Sequence, residues 1–415
     1  MPLGLYISVP FCRTKCSYCN FASDVFSKSA YENYVTRLLE DIADSRQLAS
    51  ELGCALEDTA DSIYLGGGTP SILDAEQLLR IFAAVRDQFA VTSDAEITVE
   101  CAPGTLTPAL IETLRQCGVN RVSLGVQSFV DQEAQSVGRL HKRYTVLEEI
   151  ARLRAADLAN ISIDLIAGLP HQTPESWAFS VSETIATGVP HASVYMLEVD
   201  DDSRLGRELI AGGSRYHAHF VPDEDATADF YEQACEMLAA ADIAQYEISN
   251  FSRAIPSPNN ESRHNLKYWT RQPYLGFGVD AHSFLAADQH QAIRFAIPDS
   301  LDAYMNRTPH IVTPISAQAA IEESFFLGLR LNRGIDLDRL LKLFRTCHPD
   351  PELVEGEGPA FFYSAIEQCI QDGLLERQGT ILRLTGRGRL LSNEVFARFL
   401  AEEKEKVGTG HVNPR

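Results

Sequence analysis

A chain of 415 residues, 45% of them apolar, can bury a large core, and its length suits two domains with a small third. A formal net charge of −21 speaks against nucleic-acid or anionic-membrane partners, because phosphate binding takes clustered Lys and Arg; any anionic ligand would need a local basic patch. No apolar run approaches membrane-spanning length, no basic-then-apolar leader opens the chain, and nine cysteines lack paired spacing; a soluble, cytoplasmic protein in a reducing compartment is expected.

Short apolar runs alternate with helical patterns from the start. LYISV (5–9) leads into PFCRTKCSYCNF, where Cys12, Cys16 and Cys19 stand at spacing C-x3-C-x2-C. The helical stretch YENYVTRLLEDIADSRQLASEL precedes DSIYLGG (61–67), and AEQLLRIFAAVRDQF precedes AEITVE (95–100). TPALIETLRQCG, closed by Gly118, leads to RVSLGV (121–126); TVLEEIARLRAAD leads to ISIDLI (161–166), and ASVYML (192–197) follows. Six strands alternating with helices read as right-handed βαβ units. They are too few for eight-fold closure, which leaves a partial barrel or a doubly wound sheet. The α/β fold adopted as the expectation is a partial (β/α)6 TIM-like barrel.

Polar residues collect where these strands end: Cys12, the glycines 66–68, Glu100, Gln127 and Asp164. In parallel α/β folds that rim gathers ligands, since the βα loops and helix N-termini converge there. Beyond residue 200 the pattern changes to a polar, glycine-rich connection with a short helix. The helix ATADFYEQACEMLAAADI, the strand AQYEISNFS and the loop RAIPSPNNESR follow. After TPIS (313–316) come the helices AQAAIEESFFLGLRL and PAFFYSAIEQCIQDGLLE, with Gly373 as stop, then TILRLT and GRGRLLSNEVFARFL; this C-terminal region reads as α+β and winged-helix-like. The expected divisions are a core barrel over 1–200, its extension over 201–312 and a C-terminal domain over 313–415.

Three clustered thiols admit several readings. Structural zinc wants four ligands, usually as two C-x2-C pairs, and no second pair is present. Three buried thiols are a second reading, and a disulfide suits a reducing compartment poorly. The third is an iron–sulfur cluster with one iron free of protein, an open position of the kind catalytic metal sites keep.

C-x3-C-x2-C after a first strand, with Tyr18 before the third cysteine, resembles the radical S-adenosylmethionine superfamily, and YLGGGTPS (64–71) resembles its glycine motif. Over nearly the whole chain, YISVPFC, GGGTPS, RVSLGVQSF, SIDLIAGLP, YEISNFS, HNLKYW and YLGFGVDAHSF are similar to the family of oxygen-independent coproporphyrinogen III oxidases and related heme chaperones. That resemblance implies a 4Fe–4S cluster on Cys12, Cys16 and Cys19 whose fourth iron binds S-adenosylmethionine. One electron from the cluster then cleaves the sulfonium, with flavodoxin or ferredoxin as the kind of electron donor. It further implies contacts to S-adenosylmethionine from Tyr6, Tyr18, Gly67, Gly68, Thr69, Glu100, Gln127, Arg139 and Asp164. Glu100 and Asp164 can accept from ribose hydroxyls or an amino group, and Arg139 can grip a carboxylate.

Three features lean toward the chaperone branch and an unidentified heme-acceptor protein. A fourth cysteine expected of the oxidases is missing after Cys19, and only eleven residues precede Cys12. The element HNLKYW resembles one associated with heme binding. It makes His264 a heme-contact candidate, with Arg263, Lys267 and Arg271 as a basic patch for the propionates. The alternative is the oxidase itself. Departures from the family are Ser8 in place of His, Ala102 in place of Asn, and the insertion AIPSPNN. Cys54, Cys117, Cys235, Cys347 and Cys369 are expected to be replaceable; Cys101, beside Glu100, less so.

Overall fold

The computed structural model describes residues 1–253, 260–287, 292–347 and 357–400. All six expected parallel strands form, each followed by helix: β1 (Leu3–Val9), α1 (Lys28–Glu51), β2 (Thr59–Gly67), α2 (Ala75–Gln88), β3 (Ala90–Cys101), α3 (Pro108–Gln116), β4 (Arg121–Gln127), α4 (Asp131–Ser136), α5 (Arg143–Ala155), β5 (Ile161–Ala167), α6 (Pro174–Thr187) and β6 (His191–Met196). Each strand from β1 to β6 pairs with the next in parallel. The sequence sets the helix starts: Asp74 and Thr173 form capping boxes with Gln77 and Ser176, and Pro108 and Pro174 open their helices. α2 turns Leu78, Ile81, Phe82 and Val85 inward at helical spacing.

The chain then adds α7 (Arg204–Ala211), α8 (Glu224–Ala240), β7 (Ile243–Gln245), β8 (Asn250–Arg253), α9 (Arg263–Trp269), β9 (Tyr274–Phe277), β10 (His282–Ala286), β11 (Ala292–Ala296), α10 (Leu301–Met305) and β12 (Ile311–Ile315). The expected single strand AQYEISNFS is instead a β7–β8 hairpin, closed where Tyr246 N–H donates to the Asn250 carbonyl. β8 pairs antiparallel with β6, while β9 lies parallel to β1 and carries the antiparallel run β10–β12. One sheet of 12 strands results, ordered β12-β11-β10-β9-β1-β2-β3-β4-β5-β6-β8-β7, with β1 and β6 unpaired to each other; the barrel is partial. Most of the AIPSPNN insertion lies outside the described residues; its last residue, Asn260, accepts from Arg121 Nη1 through its carbonyl at 2.8 Å.

Residues 1–316 form one compact unit and residues 317–415 a second. In the second, α11 (Ala317–Gly328), β13 (Ile335–Asp336), α12 (Leu337–Cys347) and α13 (Glu357–Gln371) precede the hairpin β14 (Leu375–Gln378) and β15 (Ile381–Leu384), then α14 (Gly386–Leu390) and α15 (Ser392–Ala397). The three strands form a sheet ordered β13-β15-β14, which gives this unit its winged-helix-like character. Gly373 takes φ 70° just past α13, the left-handed stop its position suggests. The side chain of Cys347 lies outside the described residues. Among the described residues no helix is long and apolar enough to cross a membrane.

Candidate functional site

At the C-terminal ends of β1 to β6 lies a cavity of about 510 Å³, lined by Cys12, Cys16, Cys19, Tyr18, Gly67, Gly68, Thr69, Glu100, Gln127, Arg139 and Asp164. Every candidate residue from the sequence reaches it except Tyr6 and His264. Tyr6 stands a layer deeper in the barrel, its ring 6.1 Å from Tyr64 and 6.3 Å from His264.

The cysteine loop owes its shape to other loops. Thr14 Oγ1 donates to the Gly138 carbonyl at 3.0 Å, and Ser17 N–H to the Val137 carbonyl at 3.1 Å. From the β6 side, Leu205 N–H donates to the Ser17 carbonyl at 2.8 Å, and Arg204 Nη1 to the Lys15 carbonyl at 3.3 Å. Lys15 Nζ turns back to the carbonyls of Phe21 and Ser23 at 2.9 and 2.7 Å, closing the loop on itself. Cys12 accepts from Thr69 Oγ1 at 3.7 Å, which ties the first thiol to the glycine turn. Burial pushes the Cys12 and Cys19 thiols above their ordinary value, so a metal taken up here as a thiolate complex would release protons.

Glycine is required at the adjoining turn. Gly67 takes φ 98°, and a Cβ on Gly68 would meet backbone: 2.7 Å from the Phe11 carbonyl oxygen and 2.8 Å from that of Val9. Gly68 N–H donates to the Val9 carbonyl at 2.8 Å and Thr69 N–H to that of Phe11 at 2.7 Å, so the turn and the cysteine loop form one hydrogen-bonded unit. Ser8, where the family carries His, is buried beneath this turn, with its Oγ 2.8 Å from the Cβ that Gly67 lacks.

Two carboxylates share the cavity wall. Tyr64 donates to Glu100 Oε1 at 2.7 Å, and Ser123 Oγ lies 3.0 Å from both Asp164 oxygens. Burial, reinforced by the Asp164 charge, lifts the Glu100 carboxyl from 4.5 to about 7; burial also raises Asp164. Opposite them, Arg139 donates from Nη2 to the Tyr18 hydroxyl at 3.1 Å. Burial works against its charge, but Tyr18 and Cys16 more than offset this and hold the guanidinium protonated.

Gln127 closes β4 in the left-handed region at φ 68°, where the β4–β5 register slips between Gly125 and Gln127. Such a conformation in a non-glycine residue costs on the order of 1–3 kcal/mol, and it persists because the surrounding strands enforce it. The bulge aims the amide into the cavity, and Gln127 Oε1 and Arg139 Nε are buried polar atoms with no partner among the described residues.

These groups fit the cofactors that the motifs imply. Orphaned polar atoms and two half-compensated carboxylates suit a ligand carrying positive charge, hydroxyls and one carboxylate. Among the described residues no three His, Cys, Asp or Glu side chains gather around a single ion position. A cuboidal cluster asks for something different, one thiolate on each of three irons, and a loop with three spaced thiols supplies that.

The Glu100 shift has a pH signature. Between pH 4.5 and about 7 the folded chain keeps a proton that the unfolded chain releases. This group's stabilisation is therefore complete below pH 4.5 and disappears as pH rises to about 7, a change of up to about 3 kcal/mol. Denaturant titrations of the metal-free protein from pH 5 to 8 should show this fall, and Glu100→Gln should flatten it. An unchanged slope in Glu100→Gln would place the titration elsewhere.

His264 is at the other end of the barrel. α9, capped by Ser262, enters the N-terminal mouth, and His264 is 1% exposed. Its Nδ1 lies 3.0 Å from Ser62 Oγ, and its Nε2 lies 2.8 Å from the Tyr268 hydroxyl, one turn along the same helix; its ring stacks on Tyr64 at 5.4 Å. Burial, with Lys267 nearby, lowers its pKa to about 3. Of the basic patch, Lys267 is buried and paired with Asp61 at 2.7 Å, Arg263 pairs with Asp94 at 3.4 Å, and Arg271 lies over the Phe284 ring at 5.2 Å. The acids missing from the segment come from β2 and β3, which no local reading of charge could supply.

Sequence reasoning passed over Ser62, Tyr64 and Ser123, the partners of His264, Glu100 and Asp164. They alternate with buried apolar residues along their strands, and an inward polar residue in that pattern was the available signal. Cys101, by contrast, lines the cavity as its position beside Glu100 suggests.

Residues 6–181 match the Radical SAM superfamily, and residues 315–391 match the HemN C-terminal domain. The chain is 32% identical over 406 residues to the heme chaperone HemW of Lactococcus lactis, covering 97% of this chain and 98% of that one. It is 31% identical to the heme chaperone HemW of Bacillus subtilis, covering 96% and 99%. In structure it matches the coproporphyrinogen III oxidase HemN of Escherichia coli, a radical SAM enzyme, with a TM-score of 0.79 and 21% identity over 96% of this chain and 90% of that one.

Proposed function

Because the chain belongs to the HemW family of heme chaperones within the radical S-adenosylmethionine superfamily, we propose that it carries a 4Fe–4S cluster, S-adenosylmethionine and heme, and passes heme to an acceptor protein. The observation that carries this reading is the meeting, in one cavity, of three loop cysteines, a glycine turn and a carboxylate pair facing an arginine. Cys12, Cys16 and Cys19 would hold the cluster, with one iron left free of protein for S-adenosylmethionine. When bound, the cluster supplies a single electron and the sulfonium a cleavable carbon–sulfur bond.

The chain's own residues bind and shield. Gly67 and Gly68 bring the backbone close enough to accept the methionine amino group, and Arg139 grips its carboxylate through a planar fork. Glu100 and Asp164 take the remaining positive charge and the ribose hydroxyls, and Gln127 offers its unpaired oxygen. Tyr18 holds Arg139 in place.

Full-length similarity to heme chaperones favours a carrier over an oxidase, and so does the position two residues after Cys19, where the oxidase pattern places its fourth cysteine. Exposed Phe21 stands there, after Asn20, which donates to Asp200 Oδ2 at 3.1 Å. The test is an anaerobic absorbance titration of the reconstituted protein with heme, run beside turnover of coproporphyrinogen III. One heme bound per chain without decarboxylated product is the expected result. Product formation at enzymatic rates would replace the carrier with the oxidase.

A further inference from the structure

The excursion between β6 and α8 gathers imidazoles that neither the cofactor cavity nor the barrel uses. His171, in the loop after β5, places Nε2 3.2 Å from Nδ1 of His217. Phe220 completes the group: its ring centroid lies 4.1 Å from that of His171 and 4.5 Å from that of His219. His171 N–H donates to the Phe220 carbonyl at 3.0 Å, which pins the two loops together.

The group is held with effort and left uncovered. His171 and His217 take φ 69° and 62°, left-handed conformations that a side chain tolerates only where the surroundings impose them. Yet Phe220 is 48% exposed, and Leu209 and Ile210 on α7 are 54% and 69% exposed. α7 packs against this turn, since Glu208 accepts from Tyr216 N–H and Ala218 N–H at 2.6 and 3.3 Å. Large apolar side chains beside ordered imidazoles mark a surface that expects an apolar partner with a metal at its centre.

A bare metal ion does not suit it, because no three ligating side chains converge there among the described residues. Heme suits it better: the porphyrin supplies four nitrogens and asks the protein for one axial imidazole and an apolar face. His217 has the required arrangement. With Nδ1 as the donor to His171 in that 3.2 Å pair, His217 keeps the lone pair on Nε2 for a metal, the usual relation between a metal-binding histidine and its neighbour. Arg215, its guanidinium 5.2 Å from the Tyr216 ring centroid, brings a cation two residues away for a propionate.

We propose that this excursion is the heme-loading surface: His217 Nε2 bonds the heme iron, displacing one iron-bound water, His171 orients the ring, and the exposed edge of Phe220 meets the macrocycle. The assignment rests on the heme-chaperone reading, and it moves the heme away from His264. The start of α7 also touches the cysteine loop through Leu205 and Arg204.

The experiment titrates the reconstituted full chain anaerobically with hemin and, separately, with iron-free protoporphyrin. Wild type, His217→Ala, His171→Ala, Phe220→Ala and His264→Ala are compared, with cluster absorbance as the check on folding. Hemin affinity should fall at least about tenfold in His217→Ala and about tenfold in His171→Ala, with a shifted Soret band. Added imidazole should restore the band in His217→Ala. Iron-free porphyrin should bind His217→Ala as it binds wild type, and Phe220→Ala more weakly. Hemin curves for His217→Ala and Phe220→Ala that overlay wild type, or a loss confined to His264→Ala, would overturn the site while leaving the chaperone reading intact. Absence of saturable hemin binding to wild type would overturn both.

Discussion

Replacing Cys12, Cys16 or Cys19 singly by alanine should take the reconstituted protein from about four irons per chain to almost none, with loss of its brown absorbance. On the proposed reading each thiol would hold a different iron, so no neighbour could substitute for it. The surroundings offer no replacement ligand, since no other thiol of the described residues lines the cavity except Cys101. Cys101 is buried at the end of β3, and its Sγ lies 3.8 Å from the Val99 carbonyl. The fold itself should survive. The loop is anchored through backbone carbonyls and through Thr14, Lys15 and Ser17, none of which is altered by the substitutions. Cys54→Ala and Cys117→Ala, both remote from the cavity, should retain full iron. If one of the three loop variants kept its iron, the cluster would have to be placed elsewhere.

Gly68→Ala should weaken S-adenosylmethionine binding by about a hundredfold, because misplacement on the scale of 1 Å costs about that much in a positioned site. The added methyl would press on the carbonyls of Val9 and Phe11. Both belong to backbone that can yield only by parting the glycine turn from the cysteine loop. That breaks the bonds from Gly68 N–H and Thr69 N–H and moves Thr69 away from Cys12. Strain of this kind costs about 1–3 kcal/mol of stability. Equilibrium dialysis with S-adenosylmethionine and denaturant titration read the two effects separately. Undiminished affinity would show that the turn is merely a turn.

The six strands of the barrel could be read from sequence because parallel strands buried on both faces are continuous apolar runs, and the polar exceptions at their ends marked the rim. β9 to β12 escaped that reading. Tyr274–Phe277 is four residues long and gains its strand character from pairing with β1, a partner distant in sequence. AQYEISNFS shows the opposite error: its strand-forming residues fold back on themselves at Tyr246. Within the site, thiols, glycines and carboxylates were legible because their chemistry is carried by residue type. The role of His264 was not. A histidine four residues before a tyrosine on a helix looks the same whether it meets a ligand or plugs a barrel. Only the arrival of Ser62 and Tyr64 from β2 separates the two. The pairing within the basic patch was hidden for the same reason, the counter-charges Asp61 and Asp94 lying far back in the chain.

The ties of the cysteine loop set an order of events during biogenesis. Arg13 reaches the Gly104 carbonyl across 91 residues, Thr14 reaches Gly138 across 124, Asn20 reaches Asp200 across 180, and Arg204 returns to Lys15 across 189. The loop is made well before these partners, yet its shape depends on segments synthesised last among the six βα units. While the ribosome is still extending the chain, Cys12, Cys16 and Cys19 therefore exist as an unshaped thiol-rich segment, reactive and without a preformed geometry for iron. If the loop carries the proposed cluster, iron loading is expected to be a late, post-translational step, and a truncation anywhere before the β6 connection should yield a chain that cannot be matured.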